Sequence, residues 1–326
     1  MTSRAILFLQ LGGPETLEEV PRFLYRLFSD PDVIAVRPAL LRKAIAASIA
    51  FARRNTSRDL YRRIGGASPI RRLTEQQAAG VEKRLRDGGI DVVVRAAMNC
   101  SRPLVEDVVH ELAAQGVRRF LAFPLYPQYS LTTTKGALER AHKAVERFAP
   151  GASVAEVGSW PTHPLFVRAH AELIEQEIAR FPDARPEAVH LLYSAHSIPK
   201  KLVTKKGDPY PLQVEASVAA INGRLGNRSP WTLAYQSKLG PIEWLGPATL
   251  DVLGDLARSG VMQVLAIPIA FVTDHVETLY EMDQLFGDEA KRVGIGQFRR
   301  TPGLNDQPTF LAALEQLALA QKEFWS

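Results

Sequence analysis

The chain predicts an α/β fold built from two similar domains, each with a parallel sheet, and a cleft between them. First, apolar β-rich runs bounded by turn residues alternate with helical patterns, which is typical of parallel sheets. Second, 326 residues with 46% hydrophobic content suit a globular protein of two domains. Third, residues 107–124 align without gaps to residues 251–268 with nine identities in 18 positions. This indicates a duplicated helix–turn–strand unit, and the alternative is convergence on a common α/β pattern.

Eight runs read as strands in chain order. They are Ala5–Leu11, Val92–Met98, Phe120–Leu125, Ser153–Val157, His190–Ser194, Trp231–Gln236, Val264–Ala270 and Gln297–Arg300. Helical patterns such as Val105–Ala114 and Pro164–Ile178 separate most of them, and Gly116 and Gly260 stand where helix C-caps are expected. We therefore expect a first domain over residues 1–160, a second over residues 161–308, and a C-terminal helix over residues 309–326 that packs back on the first domain.

Several function classes are excluded by motifs that the chain lacks. Cys100 is the only cysteine, so the chain forms no internal disulfide, CxxC zinc site or four-cysteine iron–sulfur cluster. Neither GxGxxG nor GxxxxGK[ST] occurs, so a prediction of NAD or ATP binding would rest on fold alone. Because Met1-Thr2-Ser3-Arg4 leads straight into an apolar strand, we expect no signal peptide and a cytoplasmic protein.

A basic segment over residues 37–72 holds ten Arg or Lys and one acid, Asp59. It lacks interleaved aromatics and any nucleic-acid-binding motif, so we expect no nucleic-acid partner. A solvated helical face, an anionic ligand and an anionic membrane surface stay open. The segment includes an apolar surface too short to span a bilayer, which predicts either a core-facing helix or a peripheral contact with the inner face of the cytoplasmic membrane. Its residues are Leu40, Leu41, Ile45, Ile49 and Phe51.

Two stretches at predicted strand ends carry the candidate chemistry: Ser194-Ala195-His196-Ser197 and Asp274-His275-Val276-Glu277. In parallel α/β folds, ligands bind at this edge of the sheet. We expect Asp274 to cap a helix on which Glu277 and Glu281 share a face. Histidines with carboxylates can move protons or hold a metal, and without thiolates the set fits transient Fe(II) better than permanent zinc. The alternatives are a structural histidine and a solvated acidic face.

Other segments add groups that would suit a large, flat, anionic ligand. Gln236-Ser237-Lys238 ends a third strand, where Ser237 and Lys238 offer anion contacts, and Trp244 offers a flat apolar wall. In the first half, the segments around Tyr61 and Tyr126 supply further aromatic and cationic groups. Together these residues predict a pocket with acid–base and metal-binding groups along one wall.

At this point the chain resembles the ferrochelatase family, which inserts ferrous iron into a porphyrin. The resemblance runs from Leu11-Gly12-Gly13-Pro14-Glu15-Thr16 to about residue 285. Its further motifs are Ser194-Ala195-His196-Ser197-Ile198-Pro199, Gly207-Asp208-Pro209-Tyr210-Pro211, Gln236-Ser237-Lys238 through Trp244-Leu245-Gly246-Pro247, and Asp274 through Glu281.

The resemblance implies two Rossmann-like domains of the class II chelatase type. It implies insertion of Fe²⁺ into protoporphyrin IX, the terminal step of heme biosynthesis, with Fe²⁺ as substrate, no permanently bound cofactor and no iron–sulfur cluster. It makes His196 and Glu277 the catalytic pair with His275 nearby, and His196, Glu277 and Glu281 the metal contacts. It assigns a further six residues to the substrate: Arg53, Ser68 and Ser237 near the propionates, and Tyr61, Tyr126 and Trp244 along the macrocycle.

The chain departs from the family pattern at two places that bear on activity. Asn99 and Cys100 stand where the family usually has an arginine and an aromatic residue, although Arg102 is close enough in sequence to substitute for the cation. Leu285 stands where an acid is common, which puts an extended acidic relay in doubt. Three readings compete: coproporphyrin III as substrate, cobalt chelation of another tetrapyrrole, and a porphyrin carrier without catalysis. Gln236-Ser237-Lys238 with Gly240-Pro241 is more similar to the protoporphyrin branch of the family, and the apolar surface around Leu40–Phe51 also suits a hydrophobic porphyrin.

Overall fold

The computed structural model describes residues 3–34, 36–238 and 242–326. The Met1-Thr2 start and the Gly240-Pro241 pair lie outside the described residues. Contacts divide the chain into two compact units. The first comprises residues 1–126, 130–158 and 314–326, and the second comprises residues 127–129 and 159–313.

The first unit is a four-stranded parallel sheet with the order β2-β1-β3-β4. Its strands are β1 (Arg4–Gln10), β2 (Val93–Met98), β3 (Arg119–Pro124) and β4 (Ser153–Glu156). Its helices are α1 (Val20–Ser29), α2 (Ala39–Arg63), α3 (Ile70–Asp87), α4 (Val105–Ala114) and α5 (Thr134–Phe148). β1 pairs on both sides and is buried from Ala5 to Gln10, and its nearly continuous apolar run is typical of a parallel strand with both faces covered.

The second unit repeats this topology with the order β6-β5-β7-β8. Its strands are β5 (His190–His196), β6 (Trp231–Gln236), β7 (Gln263–Pro268) and β8 (Gln297–Arg300). Its helices are α6 (Pro164–Ile178), the 3₁₀ turn Pro186–Ala188, α7 (Lys200–Lys206), α8 (Tyr210–Arg224), α9 (Thr249–Arg258), a π-helix (Glu277–Phe286) and α10 (Gly287–Val293). α11 (Pro308–Leu319) is divided between the units, and α12 (Lys322–Trp325) ends the first.

The internal repeat is visible in how two helices end. After α4, Gly116 adopts a φ of +92° and the Val117 N–H bonds to the Leu112 carbonyl at 3.0 Å. After α9, Gly260 adopts a φ of +79° and the Val261 N–H bonds to the Leu256 carbonyl at 3.0 Å. Both endings are Schellman motifs, in which glycine supplies the left-handed residue. The same motif and the same strand order therefore support the predicted duplication.

The apolar surface on α2 is partly exposed. Ala46, Ala50 and Tyr61 are buried along one side of the helix. Leu40, Leu41 and Phe51 have exposed fractions of 80%, 49% and 67%. Ile45 and Ile49 are half-buried, so only part of this surface is exposed, and the predicted membrane contact stays a prediction. Across the described ranges, none of the helices is both long and apolar enough to cross a bilayer.

Candidate active site

The site is built at the carboxyl ends of β5 and β6. β5 extends two residues beyond its predicted end, so His196 is its last residue and pairs with Gln236 of β6. The His196 Nδ1 atom lies 2.8 Å from Oε2 of Glu277, at the start of the π-helix. Phe271 packs its ring edge-on to both His196 and His275, with centroids 6.3 and 4.7 Å apart. The structure thus joins the two stretches that the sequence predicted to act together.

Burial and charge have opposite effects on the pKa values of His196 and Glu277. Burial lowers the pKa of His196, but the Glu277 carboxylate raises it more, so that the imidazole titrates above its ordinary value. Burial likewise raises the pKa of Glu277, but the imidazolium of His196 lowers it well below its usual range. Because an ionised carboxylate can only accept, the Nδ1 atom of His196 carries a proton, and its Nε2 atom keeps a free lone pair when the ring is neutral.

His275 lies on the other side of the Glu277 carboxylate. Its Nδ1 atom is 3.0 Å from the Thr273 carbonyl, which only accepts, so Nδ1 donates. Its Nε2 atom is 3.9 Å from Oε1 of Glu277, and its side chain is 13% exposed. The carboxylate of Glu277 therefore stands between two imidazoles.

The segment that carries Glu277 and Glu281 is a π-helix instead of the predicted α-helix. Its i→i+5 hydrogen bonds widen each turn, which brings residues four apart closer to one line along the helix. Both carboxylates consequently converge on the Ser237 hydroxyl, which lies 3.1 Å from Oε2 of Glu277 and 2.7 Å from Oε2 of Glu281. Burial and the charge of Glu277 raise the pKa of Glu281 to about 7. Leu285 follows on the same helix and is 39% exposed.

Asp274 does not cap this helix, which corrects the sequence prediction. The π-helix has no side-chain cap. The Asp274 carboxylate instead accepts hydrogen bonds from Thr278, Asn305 and the Gly303 N–H, and it pairs with Arg300 at 2.9 Å. Arg300 is almost fully buried and provides enough positive charge to lower the pKa of Asp274 despite burial. Asp274 therefore connects the start of the π-helix to the chain near Arg300 and Asn305.

Two residues that sequence reasoning left without a role support the pair. The Tyr210 hydroxyl donates to the His196 carbonyl at 3.0 Å, and the Tyr210 N–H donates to the Asp208 carboxylate at 3.0 Å. The Gln236 side-chain amide donates to the Glu281 carboxylate at 3.2 Å. The sequence signal for both was a polar residue at the end of a predicted buried element. Because buried polar groups need hydrogen-bond partners, such residues are candidates for contacts with the site.

Ser237 reaches the carboxylates in a strained backbone conformation, with a φ of +65°. A non-glycine residue adopts this region at a cost of about 1–2 kcal/mol. The Ser237 hydroxyl is bonded to the carboxylates of Glu277 and Glu281. Its contact with a propionate stays a prediction. Trp244 is half-buried in the same unit, and its backbone pairs with Pro199 ahead of α7.

The other predicted substrate residues lie in the first unit. Arg53 and Tyr61 are on α2, where Arg53 is half-buried and the Tyr61 ring packs edge-on to Phe23. Ser68 is buried and packs closely against the glycine turn after β1. A Cβ added to Gly13 would lie only 2.5 Å from the Cβ of Ser68. Tyr126 follows β3 and is half-buried, and burial raises the pKa of its phenol far above its ordinary value.

The departures from the family pattern lie after β2. Asn99 and Cys100 are both buried, and burial raises the pKa of the Cys100 thiol to about 12. Arg140 donates to the Asn99 carbonyl. Arg102, the predicted substitute cation, is 64% exposed and pairs with Asp107 at 3.4 Å. Its guanidinium is therefore already engaged by an acid.

Of the predicted metal contacts, His196 and Glu277 are directly hydrogen-bonded, and Glu281 is linked to Glu277 through the Ser237 hydroxyl. The Nδ1 atom of His196 and the Oε2 atoms of Glu277 and Glu281 take part in the hydrogen bonds given above. Within the residues that the structure describes, no group of three or more His, Cys, Asp or Glu side chains is arranged to hold a metal ion. Metal binding by these three residues therefore stays a prediction.

Two solved chelatase structures share this fold. SirB from Bacillus subtilis, solved with Fe³⁺, superposes with a TM-score of 0.56 and 12% identity over 98% of this chain and 95% of its own. The sirohydrochlorin chelatase SirB from the spizizenii subspecies, solved with cobalt, gives 0.54 and 13% over 98% and 96%. At this identity the likeness shows the fold alone. It confirms the α/β class with two Rossmann-like domains, a chelatase-type architecture.

Sequence comparison narrows this class to one family. The family model for ferrochelatase matches residues 3–322. A ferrochelatase of Synechococcus sp. (strain RCC307) is 40% identical over 97% of this chain and 82% of its own length. A ferrochelatase of Gloeobacter violaceus is 37% identical over 98% of both chains. The chain belongs to the ferrochelatase family, and the resemblance in its motifs is confirmed.

Proposed function

We propose that the protein inserts ferrous iron into protoporphyrin IX and releases the two inner protons of the ring. The observation that carries this proposal is the His196–Glu277 pair, joined to a second carboxylate through Ser237, in a chain of the ferrochelatase family. A free-base porphyrin must lose two N–H protons for each Fe²⁺ that it takes up. The site offers a base, a counter-charge for that base and a second group that titrates near neutrality.

His196 is the proton acceptor in this proposal. Its Nδ1–H points at Glu277, which leaves the Nε2 lone pair to take a pyrrole proton. The carboxylate then stabilises the imidazolium and makes the ring a stronger base than a free histidine, as the raised pKa of His196 indicates.

Glu281 and His275 are the candidates for moving protons away. The Ser237 hydroxyl links the two carboxylates, and a pKa of about 7 lets Glu281 both take and release a proton near neutral pH. His275 presents its Nε2 atom toward Glu277, so it can exchange protons there or assist metal entry. The contacts of Arg53, Tyr61, Ser68, Tyr126, Ser237 and Trp244 with the macrocycle belong to this proposal and rest on family resemblance.

Anaerobic incubation with Fe²⁺ and one porphyrin at a time tests the proposal, with absorbance reporting metalloporphyrin. We expect turnover with protoporphyrin IX and much slower turnover with coproporphyrin III. The reverse preference would transfer the proposal to coproporphyrin III. Binding of either porphyrin without metal insertion would support a carrier and contradict the proposed chemistry.

We also propose that the protein is cytoplasmic and contacts a membrane surface through α2. Its exposed Leu40, Leu41 and Phe51 form an apolar surface, and the guanidinium of Arg54 stacks 3.5 Å over the Phe51 ring. Burying one Leu or Phe side chain is worth about 1.5–3 kcal/mol, so burying the exposed parts of these three side chains would give reversible binding.

Sedimentation with phosphatidylglycerol vesicles tests this contact. We expect the Leu40→Ser/Phe51→Ser double variant to lose at least tenfold in partitioning, while the control Leu212→Ser, which removes a 68% exposed leucine from α8, keeps it. Equal partitioning of the parent and the double variant would contradict the contact.

A further inference from the structure

Three buried polar side chains form a hydrogen-bonded row behind the catalytic pair. Ser194 is on β5, Gln236 ends β6, and Thr249 begins α9. Their exposed fractions are 0%, 3% and 2%. Ser194 Oγ lies 2.7 Å from Oε1 of Gln236 and 3.0 Å from Oγ1 of Thr249. Burying such groups is costly unless each is bonded, so the row has a defined arrangement.

The acceptors around Gln236 fix the direction of every hydrogen bond in the row. The Glu277 main-chain carbonyl, 3.4 Å from Nε2 of Gln236, can only accept, so the NH₂ group faces the π-helix. The Gln236 carbonyl oxygen consequently faces Ser194 and takes the single proton of that hydroxyl. Thr249 must then donate to Ser194. The row therefore ends with amide protons aimed at Glu277 and Glu281.

We propose that Gln236, held by Ser194, is a positioning residue that keeps the Glu281 carboxylate converged with Glu277 on Ser237. Without the Gln236 amide, the Glu281 carboxylate would lose one of its two hydrogen bonds and keep the one to Ser237. The first turn of the π-helix would also lose its side-chain tie to the end of β6. This inference rests on the proposed function, because it gives Glu281 a part in the reaction.

Substitution of Gln236 by methionine tests the inference, since methionine has a similar shape and no amide. Hydrogen bonds to charged groups are worth about 1.5–3 kcal/mol, so we expect Gln236→Met to lower kcat for iron insertion at least tenfold. We expect KM for porphyrin and for iron to stay within about twofold of the parent values. We expect a smaller loss for Ser194→Ala, and none from it in the Gln236→Met background.

Two comparisons separate positioning from a general effect on folding. In a Glu281→Gln background, Gln236→Met should cost less than about twofold further activity, because the shorter amide contact, at 3.2 Å, is with Glu281 and the contact with the Glu277 main-chain carbonyl is 3.4 Å long. Gln263→Met is the matched control: it removes another buried glutamine, whose amide bonds to the Asp183 and Ala188 carbonyls at the opposite end of the same sheet. It should lower stability and leave kcat unchanged.

The inference would be overturned if the losses of kcat in Gln236→Met and Glu281→Gln multiplied in the double variant. It would also be overturned if Gln263→Met lowered kcat as much as Gln236→Met does. Should Gln236→Met not fold, Ser194→Ala with and without Glu281→Gln gives the same comparison. A parent that inserts no iron would refute the proposed function alone. The side-chain amide resonance of ¹⁵N-labelled Gln236 still tests the row: it should shift in Ser194→Ala and in Glu281→Gln, and unchanged shifts would overturn it.

Discussion

His170 makes the second unit acid-sensitive, and the size of the effect follows from its burial. The residue lies in the middle of α6 and is 1% exposed, with its ring packed edge-on to Phe166 at 4.8 Å between centroids. Among the described residues neither imidazole nitrogen has a hydrogen-bond partner. Burial lowers the pKa of His170 from 6.5 to about 3. The folded protein therefore holds this imidazole neutral where the unfolded chain would protonate it.

The folded protein loses stability as the pH falls below the pKa that His170 has in the unfolded chain. The unfolded state binds the extra proton between about pH 6.5 and pH 3, so acid favours unfolding across that window. Between pH 7 and pH 5 this one group lowers the free energy of unfolding by about 2 kcal/mol. Leucine has nearly the volume of histidine and no titrating group, so His170→Leu removes this contribution.

Denaturant unfolding at pH 7 and pH 5 measures the effect. We expect the free energy of unfolding to fall by about 2 kcal/mol less in His170→Leu than in the parent. His110→Gln, at an exposed position on α4, is the control and should behave like the parent. An equal loss in the parent and in His170→Leu would show that the buried imidazole does not carry the acid sensitivity.

Three further predictions concern the glycine turn and the carboxylate pair. Ser237→Gly should lower the rate of iron insertion about tenfold, because the lost hydroxyl is the group that bonds to both carboxylates; unchanged turnover would contradict this. Gly13→Ala should cost about 1–3 kcal/mol, since its Cβ would collide with Ser68; a thermal midpoint within 1 °C of the parent's would contradict this. Burial and Glu277 give Glu281 a pKa of about 7, so the free energy of unfolding should fall by about 2–3 kcal/mol more in the parent than in Glu281→Gln as the pH rises from 5 to 8; parallel curves would contradict this.

Local pattern was enough to predict most of the sheet. Trp231–Gln236 and Gln297–Arg300 match their predicted bounds, and both are short runs enclosed by turn residues. β5 runs two residues further than predicted, through His196, because pairing with β6 continues to Gln236. That extension depends on a strand 40 residues away, which alternation within one segment does not reveal.

The parts of the site that the sequence did not predict depend on distant partners. Asp274 resembles a helix cap because short polar residues before helices usually are caps. In the fold it meets Arg300 and Asn305, which follow about 30 residues later, and an ion pair outcompetes the cap. The π-helix is likewise invisible to a pattern of 3.6 residues per turn, although the i,i+4 spacing of Glu277 and Glu281 correctly indicated that their carboxylates meet.

The rate of iron insertion in His196→Ala tests the central claim most directly. Loss of a general base costs about 10²–10⁴-fold, so we expect single-turnover insertion of Fe²⁺ into protoporphyrin IX to slow at least 100-fold while porphyrin binding, followed by fluorescence, is retained. His190→Ala, which changes a buried histidine at the other end of β5, is the control and should insert iron at the parental rate. Near-parental insertion by a folded His196→Ala variant would contradict the account.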